Sequence, residues 1–241
     1  TFLGDADGFE TGLDYPFAQG QSNSLLVSKD GSTFVTSWNL GSTVDPEDGT
    51  EVGADSRPLI YATLGSSGAF DVYDIFSNTW STAPTDYGNN VKQGGALVWD
   101  GELGASADIF GLRGDDKTTF KRYFAGTDAW FVRDTTPNNI KWGGALTRIG
   151  DVIYALRGDD QQSFYTYTNA GNNWVAAANT GFTMKEGASL TTDGTYVYAL
   201  RGDNAKEFRR YNPATNTWSA RASTPANVKN GGALVYVAPY I

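Results

Sequence analysis

The stretch VYALRGDNAKEFRRYNPATNTW, residues 197–218, contains an aromatic pattern that decides the fold. Phe208, Tyr211 and Trp218 form the pattern Phe-x-x-Tyr-x6-Trp, in which x is any residue. Three earlier copies keep the same internal spacing: Phe70/Tyr73/Trp80, Phe120/Tyr123/Trp130 and Phe164/Tyr167/Trp174. Successive copies lie 44 to 50 residues apart, and self-similarity at such a period indicates a protein built from structural repeats.

Two shorter motifs recur between the aromatic sets. One is a lysine followed by small residues, as in Lys141-Trp-Gly-Gly-Ala-Leu, and its other copies begin at Lys92, Lys185 and Lys229. The other is Arg-Gly-Asp, at residues 113–115, 157–159 and 201–203. This tripeptide also occurs in integrin ligands, but its recurrence at the end of a strand favours a structural origin over adhesion.

Each unit reads as four short strands. Residues 143–157 give two apolar stretches joined by a Gly-Asp turn, and residues 163–177 give a second hairpin. Val, Ile, Tyr, Phe, Trp and Thr dominate the strands, while Gly, Asn, Asp and Pro fill the turns. Asn78, Asp128, Asn172 and Asn216 share one turn offset where a left-handed residue is expected. No 3.6-residue apolar period is present, so the sequence predicts almost no helix.

Four-stranded units of this length predict an all-β fold, a β-propeller of four-stranded antiparallel blades. The Tyr-x6-Trp pair and the preceding IYALRG-type strand make residues 58–237 resemble the kelch-repeat β-propeller family. Where that family has a double glycine, Arg113, Arg157 and Arg201 replace the first glycine and the second is kept. The first copy departs further, with Leu64 and Ser66 at the Arg and Asp positions.

The blade number has two interpretations. Residues 231–237 read as an innermost strand with no blade after it. We expect five blades, with residues 23–28 and 32–38 joining residues 231–237 so that the N- and C-terminal strands close the ring. The alternative is four blades, in which residues 231–237 complete the blade of residues 58–82.

The charge divides the chain into an acidic N-terminal segment, residues 1–55, and the kelch-like repeats of residues 56–241, within a single domain overall. The net charge is -9, and it arises in the N-terminal segment, which holds ten acids and one base. A neutral repeat region is not expected to bind nucleic acid. No apolar run is long enough to span a membrane. Asp5, Asp7, Asp45, Glu47 and Asp48 are weak calcium candidates, and no other cofactor is expected.

The loops that enter innermost strands and leave second strands open on one face of a propeller, near its axis. The sequence therefore predicts a mixed-charge mouth of the axial channel, with Trp142 or Tyr87 as stacking platforms. Its candidate ligand-binding residues are Lys92, Arg113, Asp115, Lys141, Trp142, Arg157, Asp159, Lys185, Arg201, Asp203 and Lys229. An alternative interpretation is that these charges pair between neighbouring blades and only hold the ring together.

The predicted function is a non-catalytic binding or assembly module, secreted or at the cell surface, with a protein or glycan partner at this face. Self-assembly into a homo-oligomer or filament through the terminal strands is a further expectation, because both chain ends are apolar. The alternatives are a carbohydrate-binding lectin and a glycan-active hydrolase or lyase on the same scaffold. The resemblance includes copper radical oxidases, but the chain has no His to supply their ligands.

Overall fold

The structure is a computed structural model that describes residues 59–102 and 107–238, together with the backbone of three N-terminal strands. The described strands form five antiparallel sheets. Two sheets have three strands: β1 (Phe9–Thr11), β2 (Ser22–Ser28) and β3 (Phe34–Asn39); and β4 (Leu59–Thr63), β5 (Phe70–Asp74) and β6 (Thr79–Ser81).

Three sheets have four strands, each contributed by consecutive residues of one repeat. The first contains β7 (Ala96–Trp99), β8 (Asp108–Leu112), β9 (Phe120–Phe124) and β10 (Ala129–Val132). The second contains β11 (Ala145–Ile149), β12 (Val152–Leu156), β13 (Phe164–Thr168) and β14 (Asn173–Ala176). The third contains β15 (Ser189–Thr192), β16 (Val197–Leu200), β17 (Phe208–Asn212) and β18 (Thr217–Ala220).

Local sequence explains the hairpins within each sheet. The turn residues Asn78, Asp128, Asn172 and Asn216 all have positive φ, between 45° and 55°, as the sequence predicts. Asn and Asp tolerate this left-handed conformation better than other side chains that have a Cβ. The described residues contain one helical turn, a 3-10 turn at Ala125–Thr127, so the expectation of almost no helix is confirmed there.

The hydrophobic core lies between successive sheets. Phe120 of one repeat packs edge-on against Tyr167 and Trp174 of the next, at centroid distances of 4.9 and 4.8 Å. Phe70 makes the same contacts with Tyr123 and Trp130, and Phe164 makes them with Tyr211 and Trp218. Such edge-to-face aromatic pairs add stability beyond their buried area. The repeated aromatic residues therefore join one repeat to the next, as predicted.

The first strand of each four-stranded sheet lies on the inner side of the array. β11 lies beside both β7 and β15, so first strands are neighbours across repeats. This stacking of sequential four-stranded antiparallel sheets, first strand beside first strand, makes the fold all-β and β-propeller-like.

The two ends of the array differ from the sequence-based expectation. β2 and β3 are strands, as expected, and they pair with each other. Residues 231–237, expected to form an innermost strand, belong to no strand, and none of the described strands lies alongside to complete their hydrogen-bonding ladder. Val235 and Val237 are accordingly 83% and 66% exposed. Among the described residues, neither the five-bladed nor the four-bladed closure is formed. No helix in this part of the chain is long and apolar enough to cross a membrane.

Candidate functional site

The Arg-Gly-Asp segments form a left-handed turn directly after the second strand of a sheet. In the turn after β8, Gly114, Asp115 and Asp116 have φ values of 66°, 54° and 56°. The turns at Gly158-Asp159-Asp160 and Gly202-Asp203-Asn204 have the same conformation. Only Gly, Asn and Asp adopt it readily, which accounts for the residue types of the motif.

This turn connects two repeats through the backbone. The Asp115 N–H donates to the Gln93 carbonyl of its own repeat at 3.0 Å, and the Asp116 N–H donates to the Ile140 carbonyl of the next repeat at 3.0 Å. Ile140 N–H in turn donates to the Lys117 carbonyl at 2.9 Å. Equivalent bridges join Ser67 to Val91, Gln161 to Met184 and Ala205 to Val228. The recurrence of Arg-Gly-Asp thus has a structural cause.

The lysine loops of successive repeats also meet at the inner side of the array. A Cβ placed on Gly143 would lie 2.1 Å from the Lys185 carbonyl oxygen, and Gly143 has φ of 83°. Gly94 has the same relation to Lys141, and Gly187 has it to Lys229. Glycine is therefore required for backbone to approach backbone there, which explains the small-residue run after each lysine.

The predicted lysines and aspartates come together on this face. Lys92 Nζ lies 3.2 Å from Asp115, Lys141 Nζ lies 3.3 Å from Asp159, and Lys185 Nζ lies 3.6 Å from Asp203. We call these three pairs, with their neighbouring arginines and Trp142, the Lys–Asp face. The lysine side chains are 32% to 35% exposed, so all three remain within reach of solvent.

Each Lys–Asp pair lies within one repeat. The interpretation in which these charges pair between neighbouring blades holds only for Lys185, which is also 3.9 Å from Asp160 of the preceding repeat. The reason lies in the topology of each sheet. The lysine comes directly before the first strand and the aspartate directly after the second, so both lie at the same end of one sheet. Lys229 has no carboxylate partner among the described residues.

The arginines hold the turn to its own repeat. Arg113 and Arg157 each donate through Nε to a loop carbonyl, those of Asn90 and Asn139, at 3.1 and 3.3 Å. Their Nη2 atoms lie 3.5 and 3.9 Å from the aspartates of the same tripeptides. Arg201 instead pairs with Glu207 at 2.7 Å. An arginine folded onto its own aspartate is not the extended tripeptide that adhesion would require.

The two predicted stacking platforms differ in accessibility. Trp142 is 39% exposed, and Lys141 Nζ lies 5.1 Å from the centre of its ring. Tyr87 is 0% exposed and donates its hydroxyl to the Gly111 carbonyl at 3.1 Å. Burial raises the pKa of the Tyr87 phenol above its ordinary value. The prediction of Tyr87 as a ligand-stacking residue is therefore wrong, because its ring fills the core beside Trp130.

One buried ion pair, between Asp108 and Arg122, was not predicted from the sequence. Asp108, 5% exposed at the start of β8, lies 2.6 Å from the Arg122 guanidinium. Burial raises the pKa of the Asp108 carboxyl, and Arg122 acts against that rise. This pair lies at the end of β8 opposite the Lys–Asp face. An acidic residue inside an apolar strand was the available signal for it.

The sequence also missed the polar contacts that accompany each aromatic junction. Trp130 Nε1 donates to the Thr85 carbonyl of the preceding repeat at 2.9 Å, and the Thr85 N–H donates to Asp128 Oδ1 at 2.8 Å. The same two bonds recur with Trp174 and Asn172 on Asp134, and with Trp218 and Asn216 on Ala178. In all four aromatic repeats the tyrosine hydroxyl donates to the left-handed residue.

The weak calcium candidates Asp5, Asp7, Asp45, Glu47 and Asp48 lie outside the described residues. In residues 59–102 and 107–238, no three acidic side chains cluster in a way that would hold a metal ion.

Comparison with known proteins gives likenesses to solved structures alone. No family model and no curated protein matches the chain. The solved structure of YjhT is similar over 55% of this chain, with 13% identity and a TM-score of 0.46. The match covers 52% of that structure, so the chain spans about half of its length.

Proposed function

We propose that this protein is a non-catalytic binding module, secreted or at the cell surface, that takes a protein or glycan partner on the Lys–Asp face. We further propose that its fold is a kelch-like propeller. The observation that carries the binding proposal is the set of three partly exposed Lys–Asp pairs repeated on one face.

These pairs are not what holds the repeats together. The backbone bridges, the glycine contacts and the aromatic junctions supply the cohesion between repeats. Ion pairs with this exposure contribute little to folding stability. Their charges are therefore free to exchange their present partners for a ligand at small cost.

The chemistry of the face suits a polar ligand. Lysine and arginine donate hydrogen bonds, aspartate accepts them from hydroxyl groups, and an exposed indole ring stacks on the apolar face of a sugar. Trp142 is the side chain that would supply such stacking. A glycan, or a protein surface rich in hydroxyl and carboxylate groups, meets these requirements.

The absence of catalysis in this proposal rests on the sequence. The chain contains no His and no Cys, which removes the usual general base and the thiol nucleophile. The adjacent acids Asp115/Asp116 and Asp159/Asp160 are the carboxylate pairs that a hydrolase could use for acid–base chemistry, and they lie in the left-handed turns. The backbone N–H groups of Asp116 and Asp160 donate to the next repeat, and those of Asp115 and Asp159 donate within their own, which supports a structural role.

A glycan array tests the binding proposal with the triple variant Asp115→Asn, Asp159→Asn and Asp203→Asn. Asparagine keeps the left-handed turn, which alanine would strain, so binding is separated from folding. We expect the variant to lose binding to the glycans that the parent binds, while its Tm stays nearly unchanged. Asp151→Asn, in an exposed turn, is the control for loss of charge. A variant that melts earlier and binds normally would show that the pairs are structural.

The second candidate function is self-assembly. It is favoured by the two ends of the array, where Trp80 is 59% exposed and Phe208 is only partly buried, whereas the phenylalanines of the internal junctions are 0% exposed.

A further inference from the structure

The junction between repeats is directional. One repeat contributes a face carrying the Tyr, the left-handed Asn or Asp, and the Trp; we call this the Trp face. The preceding repeat contributes a Phe and a loop residue 14 or 15 positions after it; we call this the Phe face. The carbonyl of that loop residue accepts a hydrogen bond from the Trp indole, and its N–H donates to the left-handed residue. The three internal junctions use this same chemistry.

The first aromatic repeat has a Trp face, and no Phe face of the described residues lies against it. Trp80 is 59% exposed, whereas Trp174 in an internal junction is 9% exposed. The face is already arranged for contact, since the Tyr73 hydroxyl donates to Asn78 Oδ1 at 2.7 Å, as the corresponding pairs do inside the array. Asn78 also has the same positive φ, 55°.

The last repeat has the complementary Phe face. Phe208 is only partly buried, whereas Phe70, Phe120 and Phe164 are 0% exposed. Phe208 stacks on Tyr198, as Phe164 stacks on Tyr154. The loop residue at the position of Ala178 is Ala222, which is exposed. Its backbone groups occupy the position that receives a Trp and an Asn in the internal junctions.

The strands at the two ends are complementary as well. Among the described strands, β4, β5 and β6 form a sheet without the innermost strand found in the next three sheets. The chain after β18 enters the position of the next innermost strand, since Val228 bridges Ala205 and a Cβ on Gly232 would lie 2.4 Å from the Gly187 carbonyl. Residues 233–237 then continue with no described strand paired to them.

We propose that the partner of these two ends is a second copy of this chain, joined head to tail. Residues 233–237 of one copy pair with β4 of the other, and Trp80 and Asn78 of that copy bond to the Ala222 backbone of the first. The inference rests on the assembly half of the proposed function and deepens it by naming the partner and the contact residues.

One observation favours a second copy over closure of the two ends on each other. Both faces belong to the same chain and are not engaged with each other, since Trp80, Ile60 and Val235 remain 59%, 51% and 83% exposed. A second copy presents to each end the face that the internal junctions place there.

A head-to-tail contact uses two different surfaces, so a defect in either one can be tested by itself. Trp80→Arg damages the Trp face, and Val235→Asp damages the strand that follows the Phe face. Both side chains are largely exposed, so the isolated repeats are expected to fold in each variant. Trp99→Arg is the matched control, because Trp99 is 50% exposed and belongs to neither face.

Sedimentation of the 241-residue chain measures the assembly. We expect the parent and Trp99→Arg to have masses above the 25.9 kDa monomer that rise with protein concentration, and each interface variant alone to remain a monomer. Mixing Trp80→Arg with Val235→Asp leaves one intact Phe face and one intact Trp face. The mixture should therefore form a 1:1 dimer and stop there.

A parent that stays at the monomer mass at every concentration overturns the proposal. In that case, a lower Tm for Trp80→Arg would show that another part of the same chain covers the Trp face, and an unchanged Tm would show that this face is uncovered in the monomer. An oligomer that Trp80→Arg leaves intact, or a mixture that fails to associate, also overturns it. The Asp→Asn triple variant of the Lys–Asp face should assemble normally, so loss of glycan binding and loss of assembly are distinguishable.

Discussion

Single residues with positive φ allow the close backbone contacts on the inner side of the array. Gly143 and Gly150 both have positive φ, but they differ in their surroundings. A Cβ on Gly143 would overlap the Lys185 carbonyl, whereas a Cβ on Gly150 would meet nothing within 4 Å. The first glycine is required by the approach of another repeat, and the second only by its own turn.

Alanine at these two positions separates the two requirements. Gly150→Ala should lower the free energy of unfolding by about 1 kcal/mol, because a residue with a Cβ is less stable in the left-handed conformation. Gly143→Ala should lower the free energy of unfolding by clearly more, because the loops of two repeats must also move apart. Urea unfolding of both variants measures the difference, and equal losses would show that the loop contact is dispensable.

Residue types at the turns were predictable where local chemistry decides them. The left-handed Asn and Asp residues followed from their position between two aromatic strands, and the structure has all four in that conformation. Tyr87 was assigned wrongly, because its exposure depends on the distant residues Gly111 and Trp130 that pack around it. Sequence spacing carries no information on such contacts.

At the scale of elements, some hairpin turns have two roles. The turns with Asp128, Asn172 and Asn216 connect the last two strands of a sheet and also accept a hydrogen bond from the preceding repeat. The turn between β9 and β10 carries Asp128, whereas the other three repeats carry Asn at that position. The Thr85 backbone N–H, the Tyr123 hydroxyl and the Thr85 hydroxyl donate to the Asp128 carboxylate and hold its pKa below the ordinary value. One junction of the array is thereby sensitive to acid.

Asp128→Asn should reduce the loss of stability in acid. A carboxylate whose pKa is lowered by folding stabilises the protein above its unfolded pKa of about 4, and this contribution disappears as the pH falls through the lower folded value. Asparagine keeps the turn and the acceptor oxygen without titrating. The fall in Tm between pH 7 and pH 3 should be smaller for Asp128→Asn than for the parent. Asp151→Asn should leave that fall unchanged, and an equal effect of both variants would contradict the assignment.

The strands themselves were the most predictable part of the fold. Alternating apolar residues and turn residues placed the hairpins of residues 143–157 and 163–177 correctly. Residues 231–237 have a similar composition, yet they form no strand, because a strand requires hydrogen-bonding partners as well as suitable residues. Whether a neighbouring strand is available depends on the whole array, which local sequence does not encode.

At the scale of the whole molecule, the core is divided among the junctions between sheets. One buried cluster joins the repeats of β8 and β12, a second joins those of β12 and β16, and a smaller one joins those of β5 and β8. Each sheet is therefore stabilised mainly by its immediate neighbours, as in other repeat proteins. Stability is expected to be highest in the middle of the array and lowest at its ends.

Native-state hydrogen exchange tests this gradient in the Trp80→Arg variant, in which the ends are expected to be free. Amides of β12, which has both faces covered, should exchange most slowly, and amides of β4, whose residues Leu59 and Ile60 are exposed, should exchange fastest. Uniform exchange across all sheets would show that the array unfolds as one unit.

The location of the Lys–Asp face was predictable at this scale, because topology alone brings the loops together. The pairing of each lysine with an aspartate of its own repeat could be seen only in the three-dimensional structure.

The directional junction also has a consequence for how such a chain can change in length. The junctions on either side of the sheet β11–β14 use the same set of contacts, and the aromatic pattern recurs there with a period of 44 residues. Deleting or duplicating one complete period would bring together surfaces that already fit. Extra residues within a turn do not break a junction, since Phe70 and Phe120 lie 50 residues apart and Trp130 still donates to the Thr85 carbonyl. Gene duplication or recombination in whole periods is therefore a route by which this protein can gain or lose a repeat while keeping its fold.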